Sequence, residues 1–250
     1  MSKGSKAVSG RATRICGAWD VSALPCARCV GRHLNLCKPL DDKRLAQLLS
    51  FGGPRVWAKG ATMFRAGEPI GPFFKIRFGI AAVFRILDDG RRQVVALRAP
   101  GDCLGYLEQD GAYSFEGQAL TEVEACAFDR RQFDIFAAQN PDLAAATAEE
   151  LSRALKRAGQ AMVVLGQLKS TERVAHFLVE IDALYRERHV ARTPLSLLMN
   201  RNQIADYLGL TVETVSRAFG KLREQAVIKL VGNDDVIILD HAKLRDIGKV

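Results

Sequence analysis

Short apolar runs broken by turn residues mark the first half of the chain as rich in β-structure. Over residues 54–129 these runs alternate with Gly, Pro and Asp turns, a pattern typical of an antiparallel β-domain. The run 80–87, the turn Asp88-Asp89-Gly90 and the run 91–97 together predict a β-hairpin. Before the strands, the spacing of leucines over residues 40–49 predicts a short helix.

A longer helix is predicted from about residue 141, where Pro141 suits a first helical turn. Within it, apolar residues are spaced 4, 3, 4 and 3 positions apart, which is the spacing of a two-stranded coiled-coil seam. So short a seam is also compatible with a helix that packs against its own domains. We predict a dimerisation helix over residues 141–168. Its seam consists of Leu151, Leu155, Ala158, Met162 and Leu165.

The C-terminal part carries the sharpest pattern. Residues 202–222 predict two helices joined by a tight turn at Gly209, with Thr211 as the N-cap of the second helix. The apolar runs 227–231 and 236–239 predict a β-hairpin, so the whole unit is a winged helix-turn-helix. The apolar positions of the second helix pack it against the first. The positions left to face outward are Val212, Glu213, Ser216, Arg217 and Lys221.

That outward face has the chemistry for reading DNA bases. An arginine such as Arg217 bonds bidentately to guanine O6 and N7, and a glutamate such as Glu213, one turn earlier, accepts a hydrogen bond from cytosine N4. The alternative is an ordinary helical hairpin on which the two residues form a solvated i,i+4 pair. We favour sequence-specific binding to double-stranded DNA.

Cysteine spacing gives a second chemical signal, because Cys16, Cys26, Cys29 and Cys37 all precede the β-domain. The C-x2-C pair places two thiolates about one turn apart, and Cys37 would add a third bond to the same metal centre. A fourth ligand must come from elsewhere in the chain. Zinc and iron–sulfur clusters are both held by four thiolates, so ligand type does not separate them. Structural zinc or free cysteines in a loop are the alternatives.

Charge and hydropathy restrict the remaining classes of protein. The net charge is +8, and residues 1–40 hold seven Lys/Arg against one acidic residue. Such a tail indicates a solvated, mobile segment or a basic arm for a polyanionic partner. No apolar stretch is long enough to span a bilayer and no secretory signal is supported, so we expect a cytoplasmic protein with reduced thiols. No catalytic constellation is found, which argues against an enzyme.

In their order along the chain, the cysteine cluster, β-domain, long helix and winged helix-turn-helix resemble the CRP/FNR superfamily of transcription regulators. The resemblance covers about residues 26–240 and includes Glu213-x-x-Ser216-Arg217. The spacing C-x2-C-x7-C and the segment 208–217 are similar to the oxygen-sensing FNR/FnrL branch.

The resemblance implies an α+β fold with an N-terminal antiparallel β-roll of the cyclic-nucleotide-binding type. The implied domains are a mobile basic tail with the cysteine segment (1–40), a β-roll sensor domain (41–140), the dimerisation helix (141–168) and a winged helix-turn-helix DNA-binding domain (169–250).

A [4Fe–4S] cluster is the cofactor that the resemblance implies, held by Cys26, Cys29, Cys37 and one cysteine of the β-roll. Two cysteines are available there. Cys126 matches the family position, whereas Cys103 occupies a place where the family usually has an apolar residue.

Alternation along the strand adds an argument for Cys126. Val123, Ala125 and Ala127 alternate with it, so Cys126 points away from their face. We therefore predict Cys126 as the fourth ligand and Cys16 as a free thiol in the tail.

The resemblance further implies an oxygen-responsive regulator. With the cluster intact, a homodimer would bind a palindromic site with TTGAT-type half-sites; oxygen would convert or destroy the cluster, loosen the dimer and release the DNA. RNA polymerase is the expected protein partner. The stretch 113–119 lacks the arginine that a cyclic nucleotide phosphate needs, so no cyclic nucleotide is expected. A thiol-redox or structural zinc site, or haem-based gas sensing, are the alternatives within the same fold.

Overall fold

The computed structural model of the chain describes residue 26 and residues 29–106, 111–187 and 193–249. Of the predicted segment 1–40, residues 1–25, which include Cys16, and residues 27 and 28 lie outside the described residues. Within them the fold is α+β, with antiparallel sheets followed by a helical C-terminal part, as the sequence predicted. None of the helices in these ranges combines the length and the apolar character that a bilayer span requires.

The chain enters the fold through two short 3-10 turns, Val30–His33 and Asn35–Cys37. Helix α1 follows over Asp42–Ser50, where a helix was predicted, and it is capped by the Asp41 side chain. The cap forms because Asp41 accepts a hydrogen bond from the backbone N–H of Arg44, at 2.8 Å.

Two four-stranded antiparallel sheets form the β-roll. The first sheet has the strand order β1-β8-β3-β6, and the second has the order β2-β7-β4-β5. The predicted hairpin is confirmed as β4 and β5, which pair Ile86 with Arg92 across a turn that contains Gly90 at φ 83°. The strands are β1 (Gly52–Trp57), β2 (Thr62–Phe64), β3 (Phe73–Phe78), β4 (Ala81–Ile86), β5 (Arg92–Arg98), β6 (Cys103–Leu104), β7 (Glu116–Ala119) and β8 (Val123–Phe128).

Helices dominate the rest of the chain. Helix α3 is 27 residues long, begins at Pro141 and continues through Gly159 and Gly166. The wing contains a third strand that was not predicted, and neither were α2 and α7. The elements are α2 (Arg130–Ala138), α3 (Pro141–Gln167), α4 (Ser170–Glu187), β9 (Leu195–Ser196), α5 (Arg201–Leu208), α6 (Val212–Glu224), β10 (Ile228–Val231), β11 (Asp235–Ile238) and α7 (His241–Gly248).

Three apolar cores hold these layers together, because each sheet buries side chains on both faces. Residues such as Phe64 and Phe74 fill the space between the two sheets. The outer face of the first sheet packs against α1, α2 and the cysteine segment. The outer face of the second sheet shares a core with the helix-turn-helix, where Phe84 and Phe219 belong to one cluster. The helix-turn-helix is therefore packed directly onto the β-roll.

Candidate metal centre and DNA interface

The N-terminal cysteines are brought together by tight turns of the backbone. The N–H of Cys29 donates to the carbonyl of Cys26 at 3.1 Å, and the N–H of Leu40 donates to the carbonyl of Cys37 at 3.2 Å. The guanidinium of Arg32 closes the segment by donating to the carbonyls of Cys37 and Leu40 at 2.8 and 2.7 Å. Backbone hydrogen bonds and the Arg32 side chain thus hold Cys26, Cys29 and Cys37 together in one loop, called the cysteine loop.

Cys126 meets this loop from the first sheet. Its neighbours in β8, Val123, Ala125 and Ala127, lie in the core between the sheets, whereas Cys126 lies in the core on the outer face. The orientation predicted from strand alternation is therefore confirmed. One small cavity is lined by Cys26, Cys29, Cys37 and Cys126, together with Arg32, Leu45, Leu48, Leu49, Lys75, Arg77 and Phe128.

Lys75 is the feature of this site that sequence reasoning missed. It lies on β3, opposite Cys126 on one side and Cys103 on the other, and it is only 2% exposed. Its Nζ donates to the carbonyl of Gly31 at 2.6 Å. Burial acts to lower the pKa of Lys75, but electrostatic interaction with the surrounding cysteines, led by Cys37, outweighs it and raises the pKa. The sequence signal that could have revealed this residue is a lysine that lies within the largely apolar strand β3.

Two of the four thiols, those of Cys26 and Cys126, have pKa values raised by burial. Burial, with smaller contributions from Cys37 and Cys29, raises the pKa of Cys26 to about 11. Burial also raises the pKa of Cys126 to about 12, although the positive charge of Arg77 acts in the opposite direction. Metal or cluster binding at this site must therefore displace the protons of Cys26 and Cys126.

The second β-roll cysteine packs against the same core as Cys26, Cys37 and Cys126 but lines a different cavity. Cys103 lies on β6 and faces a larger cavity between the β-roll and α3, and it does not line the four-cysteine cavity. His33, which lies between two of the cysteines in the sequence, is exposed. Among the described residues, no group of three or more His, Cys, Asp or Glu side chains is arranged to hold a metal ion as it stands. The site is a set of donors around a cavity.

The cysteine loop is also tied to the long helix. Asn35, between Cys29 and Cys37, adopts φ 50°, a conformation that asparagine tolerates better than most residues. Its Nδ2 donates to the carbonyl of Gly101 at 3.0 Å, and its Oδ1 accepts from Arg153 of α3 at 2.9 Å. The loop is thereby anchored both to the β-roll and to α3.

The predicted seam lies on the exposed side of α3. Leu155 and Met162 are each 75% exposed, and Leu151 is 40% exposed. Ala158 is also exposed, whereas Leu165 is half-buried. Burial of these large apolar side chains against a second helix is energetically favourable, because it removes apolar surface from water. Their use as a dimer interface stays a prediction.

The helix-turn-helix is built as the sequence indicated. Helix α5 ends at Gly209, whose φ of 60° permits the tight turn. Thr211 then caps α6, since its Oγ1 accepts from the N–H of Thr214 at 3.2 Å. Four of the five predicted outward residues are exposed. They are Glu213, Ser216, Arg217 and Lys221.

Val212 corrects the prediction, because it is half-buried and packs against the C-terminal core. It is the first residue of α6, and its side chain is partly buried like that of Leu210 in the preceding turn. Covering the core with an apolar side chain is more favourable than exposing it. Val212 is thus a boundary residue of the DNA-facing surface.

The charges on the exposed face of α6 are available for a ligand. Backbone and Thr211 hydrogen bonds at the helix N-terminus, with a smaller contribution from Arg217, lower the pKa of Glu213, so its carboxylate is ionised at neutral pH. Arg217 reaches back over the preceding turn, with its Nε 3.4 Å from the Glu213 carbonyl, and stays exposed. An anionic acceptor and a cationic donor are therefore presented one turn apart.

Comparison with known proteins agrees with this architecture. Residues 54–140 match the family described as the cyclic nucleotide-binding domain, and residues 172–247 match the Crp-like helix-turn-helix domain. The nitrogen fixation regulation protein FixK of Bradyrhizobium diazoefficiens is 34% identical over 223 residues, which cover 88% of this chain and 92% of FixK. The transcriptional activator protein Anr of Pseudomonas aeruginosa is 34% identical over 231 residues, which cover 90% of this chain and 93% of Anr.

A solved structure supports the same assignment. The structure of FixK2 from Bradyrhizobium japonicum superposes with a TM-score of 0.70 at 28% identity, covering 78% of this chain and 96% of FixK2. These relatives are regulators rather than enzymes. The chain therefore belongs to the CRP/FNR family of transcription regulators, whose members bind DNA as dimers.

Proposed function

We propose that this chain is a cytoplasmic, oxygen-responsive regulator in which a [4Fe–4S] cluster stabilises the DNA-binding dimer. The observation that carries the proposal is the convergence of Cys26, Cys29, Cys37 and Cys126 on one small cavity. Three of these thiols come from one loop and the fourth comes from the opposite side of the cavity, on β8. Four thiolates are the ligand set of such clusters.

The surroundings of the cavity fit a buried anionic cofactor. Leu45, Leu48 and Phe128 restrict access of water, while Lys75 and Arg77 bring positive charge to the same cavity. A cluster with four thiolates carries net negative charge, and nearby cations reduce the cost of burying it. When bound, the cluster would supply the group that reacts with oxygen.

A route from the cysteines to the dimer helix supports the regulatory part of the proposal. Asn35 links the cysteine loop to Arg153 on α3, and Arg153 in turn pairs with Glu150 at 3.2 Å. A ligand that orders the loop favours the state in which these contacts form. The exposed seam that includes Leu155 lies on the same helix.

On DNA, two copies paired along α3 would place their α6 helices in successive major grooves of a palindromic site. We propose TTGAT-type half-sites, with Arg217 on a guanine edge. The relative Anr is named a transcriptional activator. Activation through contact with RNA polymerase is accordingly the mode we propose for this chain.

The decisive experiment is to purify the protein without oxygen and to measure iron, acid-labile sulfide and visible absorbance before and after exposure to air. We expect about four irons and four sulfides per chain, a visible chromophore that air removes, and binding to a TTGAT palindrome that is lost in parallel. Zinc without sulfide would indicate a structural zinc site, and a haem spectrum would indicate haem-based sensing. DNA binding that depends on thiol oxidation in iron-free protein would indicate a thiol-redox regulator. Each of these results would contradict the cluster.

A further inference from the structure

Arg173, near the start of α4, joins the end of α3 to the end of α5, the first helix of the helix-turn-helix. Its Nε donates to the carbonyl of Leu168 at 2.9 Å, and its Nη2 donates to the carbonyl of Leu165 at 2.7 Å. Its Nη1 donates to the carbonyl of Leu208 at 2.9 Å. One guanidinium therefore holds three backbone carbonyls at the C-terminal ends of α3 and α5.

Helix C-termini leave carbonyls without partners and carry partial negative charge. In α3 the capping N–H of Leu168 satisfies Val164, and in α5 the capping N–H of Gly209 satisfies Ala205. The remaining carbonyls need other donors. The planar fork of an arginine can satisfy several at fixed angles, whereas a lysine ammonium cannot reproduce that geometry.

This joint lies beside the turn that aims the recognition helix. Gly209 directly follows Leu208, and its Cα hydrogen positions face Leu165 and Arg173, so that a methyl group there would lie 3.7 and 3.8 Å from their side chains. Helix α6 begins three residues after Gly209. The direction of α6 relative to α3 is thus set within a few residues of Arg173.

We infer that Arg173 is a positioning residue for DNA binding, which fixes the angle between the dimer helix and the recognition helix. In a dimer paired along α3, that angle determines the distance between the two α6 helices. The spacing of half-sites on DNA follows from that distance. The inference rests on the proposed pairing along α3 and does not depend on which cofactor stabilises the dimer.

The test measures the dependence of binding on half-site spacing. The probes are a palindrome that the unmodified protein selects from a random pool, and versions of it with the spacer one base pair shorter or longer. We expect Arg173→Ala to weaken binding to the selected spacing by about tenfold or more. Affinity for the palindromes with altered spacers should fall much less. The ratio of affinities between the selected and the altered spacings should therefore become smaller.

Two further variants separate positioning from general stability. Arg173→Lys keeps the charge and the aliphatic stem, so it should fold normally and still show the narrowed preference. Arg186→Ala is the matched control on the same helix, since Arg186 pairs with Asp182 of α4 at 2.8 Å and lies 3.5 Å from the Nε2 of His241 in α7. Its spacing preference should be unchanged.

Sedimentation of the unmodified protein and of Leu155→Glu shows separately whether the protein dimerises and whether the dimer forms along α3. An equal loss of affinity at every spacing in Arg173→Ala and Arg173→Lys, or an unchanged preference in both, would overturn the positioning role. If Arg173→Ala does not fold by circular dichroism, the Lys variant alone decides.

Discussion

Tyr207 of α5 donates a hydrogen bond to the partly buried carboxylate of Glu180 in α4, with O–O distances of 2.8 and 2.7 Å to the two carboxylate oxygens. The carbonyl of Tyr207 accepts from Gln93 of β5 at 3.2 Å. One residue of the helix-turn-helix is therefore attached both to α4 and to the β-roll. The position of the DNA-binding unit depends on this polar contact as well as on the apolar core.

The Tyr207–Glu180 bond leads to a prediction about pH. Burial raises the pKa of Glu180, and the hydrogen bond from Tyr207 offsets part of that increase. Because the folded pKa is raised, the contribution of Glu180 to stability is present at acid pH and is lost as pH rises through that pKa. Tyr207→Phe raises the folded pKa further. Its cost in unfolding free energy, about 1–3 kcal/mol at neutral pH, should be smaller below the ordinary pKa of 4.5.

Denaturant unfolding at several pH values measures this cost. The matched control is Tyr113→Phe, since among the described residues the Tyr113 hydroxyl bonds backbone groups, at 3.0 Å from the N–H of Gly71 and 3.0 Å from the carbonyl of Pro72. Its cost should not vary with pH. If the loss of unfolding free energy in Tyr207→Phe is the same at every pH, the ionisation of Glu180 is not linked to its hydrogen bond with Tyr207.

The contact between Asn35 and Arg153 is expected to carry a measurable coupling energy. A double-mutant cycle of Asn35→Ala and Arg153→Ala cancels the backbone strain that alanine introduces at φ 50°. We expect a coupling of about 0.5–1 kcal/mol in unfolding free energy, because the contact is partly exposed. In cluster-loaded protein both single variants should also weaken the dimer. Additive effects on stability and dimerisation would show that the loop and α3 act independently.

The cysteine assignment predicts an all-or-none pattern. Serine at Cys26, Cys29, Cys37 or Cys126 should abolish the visible chromophore and anaerobic DNA binding together, because an incomplete thiolate set leaves iron labile. Cys103→Ser is the matched control and should keep both, since Cys103 lies outside the four-cysteine cavity. A chromophore that survives Cys126→Ser and disappears in Cys103→Ser would reverse the assignment.

The seam on α3 predicts a change of assembly state. Leu155→Glu or Met162→Glu places an unpaired charge in the proposed interface and should cost the dimer about 3–5 kcal/mol. Monomers are expected in sedimentation. Lys156→Glu, next to Leu155 on the same helix, changes charge without entering the seam and should leave the dimer intact. A dimeric Leu155→Glu protein with normal DNA binding would exclude this interface.

The exposed face of α6 predicts two distinguishable kinds of DNA contact. Arg217→Ala should cost about 1–3 kcal/mol per half-site and relax preference at one base pair. Lys221→Ala should weaken binding about equally across sequences and reduce the salt slope by roughly one unit. Glu213→Ala should lose discrimination without losing non-specific affinity, because a carboxylate repels phosphate.

These differences are measured by titrating every single-base variant of one half-site at two salt concentrations. If Arg217→Ala lowers affinity uniformly and keeps all base preferences, the helix contacts only the DNA backbone.

Local patterns in the sequence were sufficient for many of the elements, though not for α2, β9 and α7, and for the orientation of side chains such as that of Cys126. The period-2 alternation around Cys126 placed it on the outer face of its strand, and Gly209 and Thr211 marked the turn and the second helix. These features depend on backbone geometry over a few residues. The resemblance to a known family then supplied the order of the domains.

Tertiary structure decided which distant groups meet. Lys75 lies between Cys103 and Cys126 because the strand order is β8-β3-β6, which no local pattern specifies. Asn35 reaches Arg153 across 118 residues of sequence, and Arg173 meets the ends of two other helices. Such contacts follow from the packing of whole layers of secondary structure. The free energy of that packing is summed over many buried residues, so no local periodicity in the sequence specifies which distant residues meet.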